Sequence, residues 1–351
     1  MKAGAAMPCQ PIIFHTTNMR NKSTFFLLFF GLLLILTAAR KEKTTIFMIG
    51  DSTMANKPID NGQPERGWGM ALQGFFTDDI IVDNHAVNGR SSKSFIDEGR
   101  WDKVLEKIKP GDYVVIQFGH NDEKPKEDRH TDPGTTFDAN LTKFVVETRE
   151  KGGIPILCNA VVRRNFQAVA PQNDDDEKLR DTEFTGEKKT EGEVLVDTHG
   201  DYRIAPKNVA ETLKVPFIDA NAITHELEQS LGVEGSKALH MWFKPGENPS
   251  IPKGREDNTH YNIYGAHVVA GLLVDEIAKQ VPALKKYVRH YDFIVAKDGH
   301  GNYMDLQKAV DEAPVGKKTT IRILNGEWKR PFVPRNKKIK FSVSENAKLE
   351  K

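Results

Sequence analysis

The stretch TTIFMIGDST, residues 44–53, sets the reading of the whole chain. An apolar run without polar alternation suits a strand buried on both faces, as in a parallel sheet. It stops abruptly at Gly50-Asp51-Ser52-Thr53, a turn signal. The same pattern recurs downstream. Apolar runs end in Gly, Asn or Asp at IIVDNHAVNG (80–89), DYVVIQFGHND (112–122), IPILCNAV (154–161) and VPFIDAN (215–221). Helix-period stretches lie between them, near 67–76, 101–109, 136–151, 206–213 and 221–231. A long apolar one follows, NIYGAHVVAGLLVDEIAKQV at 262–281. Strands alternating with helices predict an α/β fold: a parallel five-stranded sheet in a three-layer α/β/α arrangement with right-handed crossovers. Such folds gather their sites in the loops at the carboxyl ends of the strands.

Composition bounds the rest. The chain has 351 residues, with 50 Lys+Arg against 49 Asp+Glu and 38% hydrophobic residues. That length allows one large domain or two. The mixed charge excludes a wholly disordered chain, and a formal charge of +1 gives no global pull toward nucleic acid. Two Cys make neither a disulfide framework nor, unaided, a Cys-based zinc site.

The amino end carries its own signal. Phe25 to Ala39 read FFLLFFGLLLILTAA, without a charge, behind Arg20 and Lys22 and closing on small residues. That is the order of a secretory signal, too short for a membrane span of roughly 20 residues. Residues 1–39 are therefore expected to be a signal region, with Met19 as a second candidate start. An uncleaved membrane anchor is the competing reading. Once the signal is removed, Cys158 is the one cysteine left, in an apolar run where an inert buried thiol is expected.

Two stretches break the strand–helix alternation. Residues 171–200 are charged and aperiodic, as a surface insertion would be. Residues 288–351 hold 14 Lys+Arg and 8 Asp+Glu, against a net charge of -8 for residues 40–287. The expected division is 1–39, 40–287 and 288–351.

The strand-end loops carry the chemistry. Ser52 follows the first strand, where it can be a nucleophile or a plain helix cap. Gly89 follows the second, where its backbone can approach a ligand or simply turn. Asn121 follows the third, in Gly119-His120-Asn121-Asp122, as an amide donor or a turn residue. Asp257 and His260, on a loop entering the last long helix, suit an imidazole oriented by a carboxylate, or again a cap. Each signal alone is weak, but a parallel sheet would bring all four together. The sum is acyl transfer to water. Ser52 attacks an ester carbonyl, His260 takes its proton and Asp257 orients His260. The Ser52 and Gly89 N–H groups and the Asn121 amide hold the oxyanion. A base must be neutral, so activity is expected to fall in acid. No G-x-S-x-G elbow surrounds Ser52, which argues against an α/β-hydrolase lipase.

These four blocks, in this order, resemble the SGNH (GDSL) hydrolase superfamily, matching at Gly50, Asp51, Ser52, Gly89, Gly119, Asn121, Asp122, Asp257 and His260. The resemblance implies a flavodoxin-like domain with Ser52 as nucleophile, Gly89 and Asn121 in the oxyanion hole, and Asp257 and His260 completing a triad. The flanking text GDSTMA, NHAVNGRSSKSF, QFGHND, VVRRNF, VDTHGDY and DNTHYNIYGA looks like that of a rhamnogalacturonan acetylesterase, over roughly 44–285. The tail, YDFIVAKDGHGNYMDLQKAVDEAP and KTTIRILNGEWKRP, resembles the start of a pectin methylesterase. That implies a truncated parallel β-helix start lacking that family's catalytic positions, hence no methylesterase activity.

The expected partner is an acetylated pectic polysaccharide. Arg163 and Arg164 could pair with a galacturonate carboxylate or form a solvated basic pair. Asn88, Arg90 and His120 flank the blocks and are candidate pocket residues. Trp242 and Phe243 are candidate sugar platforms, while Trp68 reads as core. No metal, cofactor or nucleic acid is expected, nor membrane attachment after signal cleavage. The protein is expected to be a secreted or periplasmic monomer. A different SGNH esterase, acting on xylan acetyls, sialic acid acetyls or lipid esters, and a non-catalytic carbohydrate-binding protein are the alternatives.

Overall fold

The computed structural model describes residues 42–167 and 192–350. The expected signal region, Cys9 and most of the 171–200 insertion lie outside the described residues. The strands β1 (Thr44–Gly50), β3 (Ile80–Asn84), β4 (Tyr113–Gln117), β5 (Ile154–Cys158) and β6 (Phe217–Ile218) form a sheet in the order β3-β1-β4-β5-β6. All its pairings are parallel. Counting these strands alone, the order is 2-1-3-4-5, the flavodoxin-like one. All five apolar runs read from the sequence are strands. Each is cut back at its carboxyl end to free the loop that follows.

Side chains alternate across the strands, so consecutive residues serve opposite cores. Ile46, Met48, Val115 and Ile156 pack on one face beneath α1 (Trp68–Ala71) and the long α7 (Ile263–Gln280). Phe47, Ile49, Val114, Ile116 and Leu157 pack on the other. There they meet α2 (Ser92–Asp97), α3 (Arg100–Leu105), α4 (Thr136–Glu150) and α5 (Asp201–Leu213). Trp101, Phe144 and Phe118 stack edge and face within that second layer. Burying each large apolar side chain contributes about 1.5–3 kcal/mol. This double burial is why the strands show no polar alternation.

A second, antiparallel sheet is β2-β8-β7, made of β2 (Glu65–Arg66), β7 (His240–Phe243) and β8 (Arg255–Asn262). Its strands β7 and β8 follow α6 (Ala220–Gly235) in the chain and lead into α7. This corrects one expectation: Asp257 and His260 lie on β8, not on a loop entering the last helix. The pairing of β8 with β7 jumps from Tyr261 opposite His240 to Asp257 opposite Met241. Residues 258–260 thus bulge out of the ladder. Local periodicity missed the strand because its partners, β2 and β7, lie elsewhere in the chain.

The described residues from 43 onward form one compact unit. After α8 (Pro282–Lys285) come β9 (Phe293–Val295), α9 (Leu306–Glu312), β10 (Lys318–Ile323), β11 (Gly326–Trp328), β12 (Lys338–Val343) and β13 (Ala347–Leu349). Their ladders, β12-β10-β9 and β11-β13, are parallel. Val295, Leu306, Val310, Ile321, Ile323 and Trp328 form a core of their own. Ile294, Ala296 and Leu324 instead join the large core beneath the main sheet. Asp78 ties the two parts by accepting from Arg322 Nη2 at 2.7 Å and Ser344 Oγ at 2.5 Å.

Candidate active site

The strand order reverses at β1, whose neighbours β3 and β4 follow it in sequence on opposite sides. A crevice at the carboxyl ends of the strands opens at such a point. The loops carrying Ser52, Gly89 and Asn121 are those of β1, β3 and β4.

The turn after β1 is built by Asp51. Its Oδ1 accepts from Thr53 N–H at 2.9 Å and Thr53 Oγ1 at 2.8 Å. Its carbonyl accepts from Ala55 N–H at 3.0 Å. Gly50 is required here, because a Cβ would stand 2.6 Å from the Gln117 carbonyl oxygen of the adjacent strand. Ser52 is left with its Oγ 3.0 Å from His260 Nε2. His260 Nδ1 lies 2.8 Å from Asp257 Oδ2. Asp257 Oδ1 accepts from the N–H groups of Thr259 at 2.8 Å and His260 at 3.0 Å. The bulge in β8 makes this curl possible and lets residues three apart meet. All three side chains are almost completely buried. Burial works to raise Asp257, but the His260 charge and the Arg255 guanidinium hold its carboxyl well below the usual range.

The other blocks lie in the loops at the carboxyl ends of β3 and β4. Gly89 has φ 72°, a conformation that favours glycine. One hydrogen of the Asn121 amide is held by the Arg90 carbonyl at 3.3 Å, which leaves the second free to donate. Asp122 lies beneath, fully buried. It accepts from Ser92 N–H and Oγ at 3.0 and 2.5 Å, from Gly119 N–H at 3.1 Å and from Thr131 Oγ1 at 3.0 Å. Burial pushes this carboxyl up to about 7 against the pull of the hydroxyl donors.

The candidate pocket residues fare differently. Asn88 Oδ1 accepts from Lys57 Nζ at 2.5 Å, so its side chain points into the protein. Arg90 pairs with Glu98 at 3.1 Å and stays partly open. His120 is fully buried, with neither ring nitrogen hydrogen-bonded, edge-on to His199 at 4.5 Å. Burial, with the charges of His199, Arg163, His260 and Lys124, holds it well below the usual imidazole range.

Arg163 and Arg164 are not the solvated basic pair that the sequence allows; each is 2% exposed. Arg163 pairs with Glu123 at 2.5 Å and donates to Thr198. Arg164 donates to Ser236, to the Val233 carbonyl and to Asn258 Oδ1. Both guanidinium groups are spent on the protein. Trp242 donates to the same Asn258 Oδ1 at 2.9 Å and has Arg164 and Lys237 over its ring. With Phe243, Lys237, Lys244, Glu234 and Glu247 it lines a cavity of about 220 Å³, in which Lys237 pairs with Glu234 at 2.9 Å. Trp68 is core, as expected.

Sequence reading passed over Lys57, Glu65 and Arg255, charged residues within otherwise ordinary polar text. All three are buried, and Arg255 donates to Asp257 Oδ2. Among the described residues, no group of three or more His, Cys, Asp or Glu is placed to hold a metal ion.

A parallel sheet of this order, with a serine, a histidine and an aspartate joined at its switch point, defines a class of acyl hydrolases. The chain belongs to the GDSL-like Lipase/Acylhydrolase family, whose model matches residues 48–267. It is a carboxylic ester hydrolase of that family. It is 38% identical to the rhamnogalacturonan acetylesterase RhgT of Bacillus subtilis (strain 168) over 259 residues, 74% of this chain and 97% of that protein. It is 31% identical to the probable rhamnogalacturonan acetylesterase YesY of the same strain, over 66% of this chain and 91% of that one. Among solved structures, protein YxiM of Bacillus subtilis superposes with a TM-score of 0.52 at 26% identity. That match covers 69% of this chain and 58% of the other.

Proposed function

We propose that the protein is an exported serine esterase that removes O-acetyl groups from acetylated rhamnogalacturonan. The contact of Ser52 Oγ with His260 Nε2, backed by Asp257, carries the chemical half of this reading. Ser52 Oγ attacks the acetyl carbonyl and passes its proton to His260 Nε2. The oxyanion is held by the N–H groups of Ser52 and Gly89 and by the Asn121 amide. Collapse expels the sugar oxygen, which takes the proton from His260. Water then attacks the acetyl-enzyme by the same route and releases acetate. The base contributes roughly 10²–10⁴-fold, and each oxyanion donor on the order of 10²–10³-fold.

Similarity to a rhamnogalacturonan acetylesterase, and to a protein named as a probable one, over most of their length supports the substrate. The cavity at Trp242, whose partner on β8 is Glu256, the neighbour of Asp257, offers an aromatic face to a sugar ring. Arg163 and Arg164 act as scaffold, held by buried partners. The tail is read as the first coils of a parallel β-helix, which its parallel ladders support. Residues 1–39 serve as the export signal, which sequencing of the amino terminus of the secreted product would check.

The test is acetate release from acetylated rhamnogalacturonan, acetylated xylan and an aryl acetate, by wild type and Ser52→Ala. Strong release from rhamnogalacturonan that vanishes in Ser52→Ala is the expected result. Ser52-dependent release from xylan or the aryl acetate alone would leave the mechanism standing and remove the pectic substrate.

A further inference from the structure

Beneath the Ser52–His260–Asp257 group runs a row of buried charges that a triad does not by itself need. Asp257 Oδ2, the oxygen facing His260 Nδ1, also accepts from Arg255 Nη2. Arg255 Nη1 reaches Glu65 Oε2 at 2.9 Å, and Glu65 Oε1 lies 2.8 Å from Lys57 Nζ. Lys57 then donates to Asn88 Oδ1 at 2.5 Å. Signs alternate along the row, Lys57, Glu65, Arg255 and Asp257, and none of the four is more than 5% exposed.

The row joins four separate pieces of chain. Asp257 and Arg255 are on β8, and Glu65 is on β2. Lys57 follows the nucleophile turn, and Asn88 immediately precedes Gly89. The carbonyl of Asn88 is held from the other side by Arg90 Nη1 at 3.0 Å. For stability alone, well-packed apolar side chains serve as well as or better than a buried ion pair. What the row adds is geometry: it fixes the plane of the Asp257 carboxylate and the position of the oxyanion loop together.

We propose that Lys57, Glu65 and Arg255 are positioning residues of the esterase reaction, a buried charge relay that holds the triad carboxylate and the oxyanion loop in register. This rests on the triad reading given above. Arg255 places positive charge beside the imidazole, and Glu65 offsets it. The two therefore act on His260 with opposite sign. The other groups facing His260 are Asp257 on its own strand, Ser52 with Asp51 behind it on the loop after β1, and His120 on the loop after β4.

The experiment uses the full chain with an aryl acetate, so that it does not depend on the polysaccharide. Arg255→Met is expected to lower kcat about 10- to 100-fold with KM within about twofold, the size of a lost charge-assisted contact. Its acid limb should move to higher pH, because a cation has left. Arg255→Lys should recover part of kcat. Glu65→Gln should move the acid limb to lower pH, because Arg255 is no longer offset. Removing a charge can also unfold the site. Lys57→Met/Glu65→Met therefore provides the safeguard, since it leaves Arg255 paired with Asp257. It should keep the wild-type circular dichroism spectrum, lose about tenfold in kcat, and shift its acid limb downward. A folded double variant with wild-type kcat and pH profile would overturn the proposal, as would shifts of the same sign in Arg255→Met and Glu65→Gln. Ser52→Ala is the control. If it kept turnover, the triad reading would fall and take this proposal with it, whereas a dead Ser52→Ala beside unaffected relay variants sinks the relay alone.

Discussion

The indole of Trp68 donates a 2.7 Å hydrogen bond to Gln117 Oε1, and this bond fastens the start of α1 to the end of the central strand β4. Gln117 Nε2 continues the line to Thr53 Oγ1 at 2.8 Å, and Thr53 donates to Asp51. The nucleophile turn is thus braced from the neighbouring strand by fully buried polar groups. Gln117→Leu should destabilise the protein by about 1–3 kcal/mol, because it leaves a buried indole N–H unsatisfied. Adding Trp68→Phe should return part of that loss, since both partners are then apolar. Thermal unfolding of the two variants measures it. An unchanged melting temperature in Gln117→Leu would show that the bond carries no weight.

The proposed oxyanion donors can be separated from the fold. Asn121→Ala should lower kcat by roughly 10²–10³-fold with little change in KM. Gly89→Ala should lose both activity and about 1 kcal/mol of stability, because φ 72° strains any side chain. Steady-state kinetics beside urea unfolding distinguishes the two. A fully active Asn121→Ala would remove its amide from the reaction.

Asp122 makes stability depend on pH. Its folded value, about 7, lies above that of an unfolded carboxyl. The folded state therefore holds the proton more tightly, and the associated stability is full below about pH 4 and lost as pH rises to about 7. Asp122→Asn removes this slope, whatever its own fixed cost. Chemical unfolding at several pH values should show wild type losing a few kcal/mol relative to Asp122→Asn across that window. Parallel curves for the two proteins would mean that Asp122 is already ionised at its donors.

On the proposed mechanism the base must be neutral, so activity should fall in acid. Asp257 stays ionised far below the working range, held there by His260 and Arg255 against burial. The fall in kcat/KM should therefore follow a single proton. A two-proton slope would show that a second group, with Asp122 the first candidate, has to be in one form for turnover.

Cys158 is fully buried, and burial pushes its thiol upward. It should resist thiol reagents in the native protein and react once the protein unfolds. Mass spectrometry of the peptide that contains Cys158, after labelling with and without denaturant, reads this. Rapid native labelling would mean that the β5 layer opens readily.

The parallel sheet and its strand-end loops were legible because burial on both faces leaves a local mark. A largely apolar run such as 113–118, closed by Gly, Asn and Asp, needs no partner to be recognised. The placing of Ser52, Gly89 and Asn121 in strand-end loops was legible for the same reason, since each lies in the turn region that closes such a run. The 288–351 segment was visible as a change of charge and pattern. Its seating through Ile294, Leu324 and Asp78 was not, because those residues meet partners more than 200 positions away.

Residue type and spacing by themselves determined the layers, the loop positions and the chemistry available there. Tertiary structure alone decided which polar groups are spent inside. Arg163 and Arg164 look like ligands for an acid, yet buried partners consume them. Lys57, Glu65 and Arg255 look like solvated surface, yet they run in line beneath the triad. The physical reason is that a charge's role depends on its distance to other charges and to water. For residues 57, 65, 88 and 255, the fold sets both.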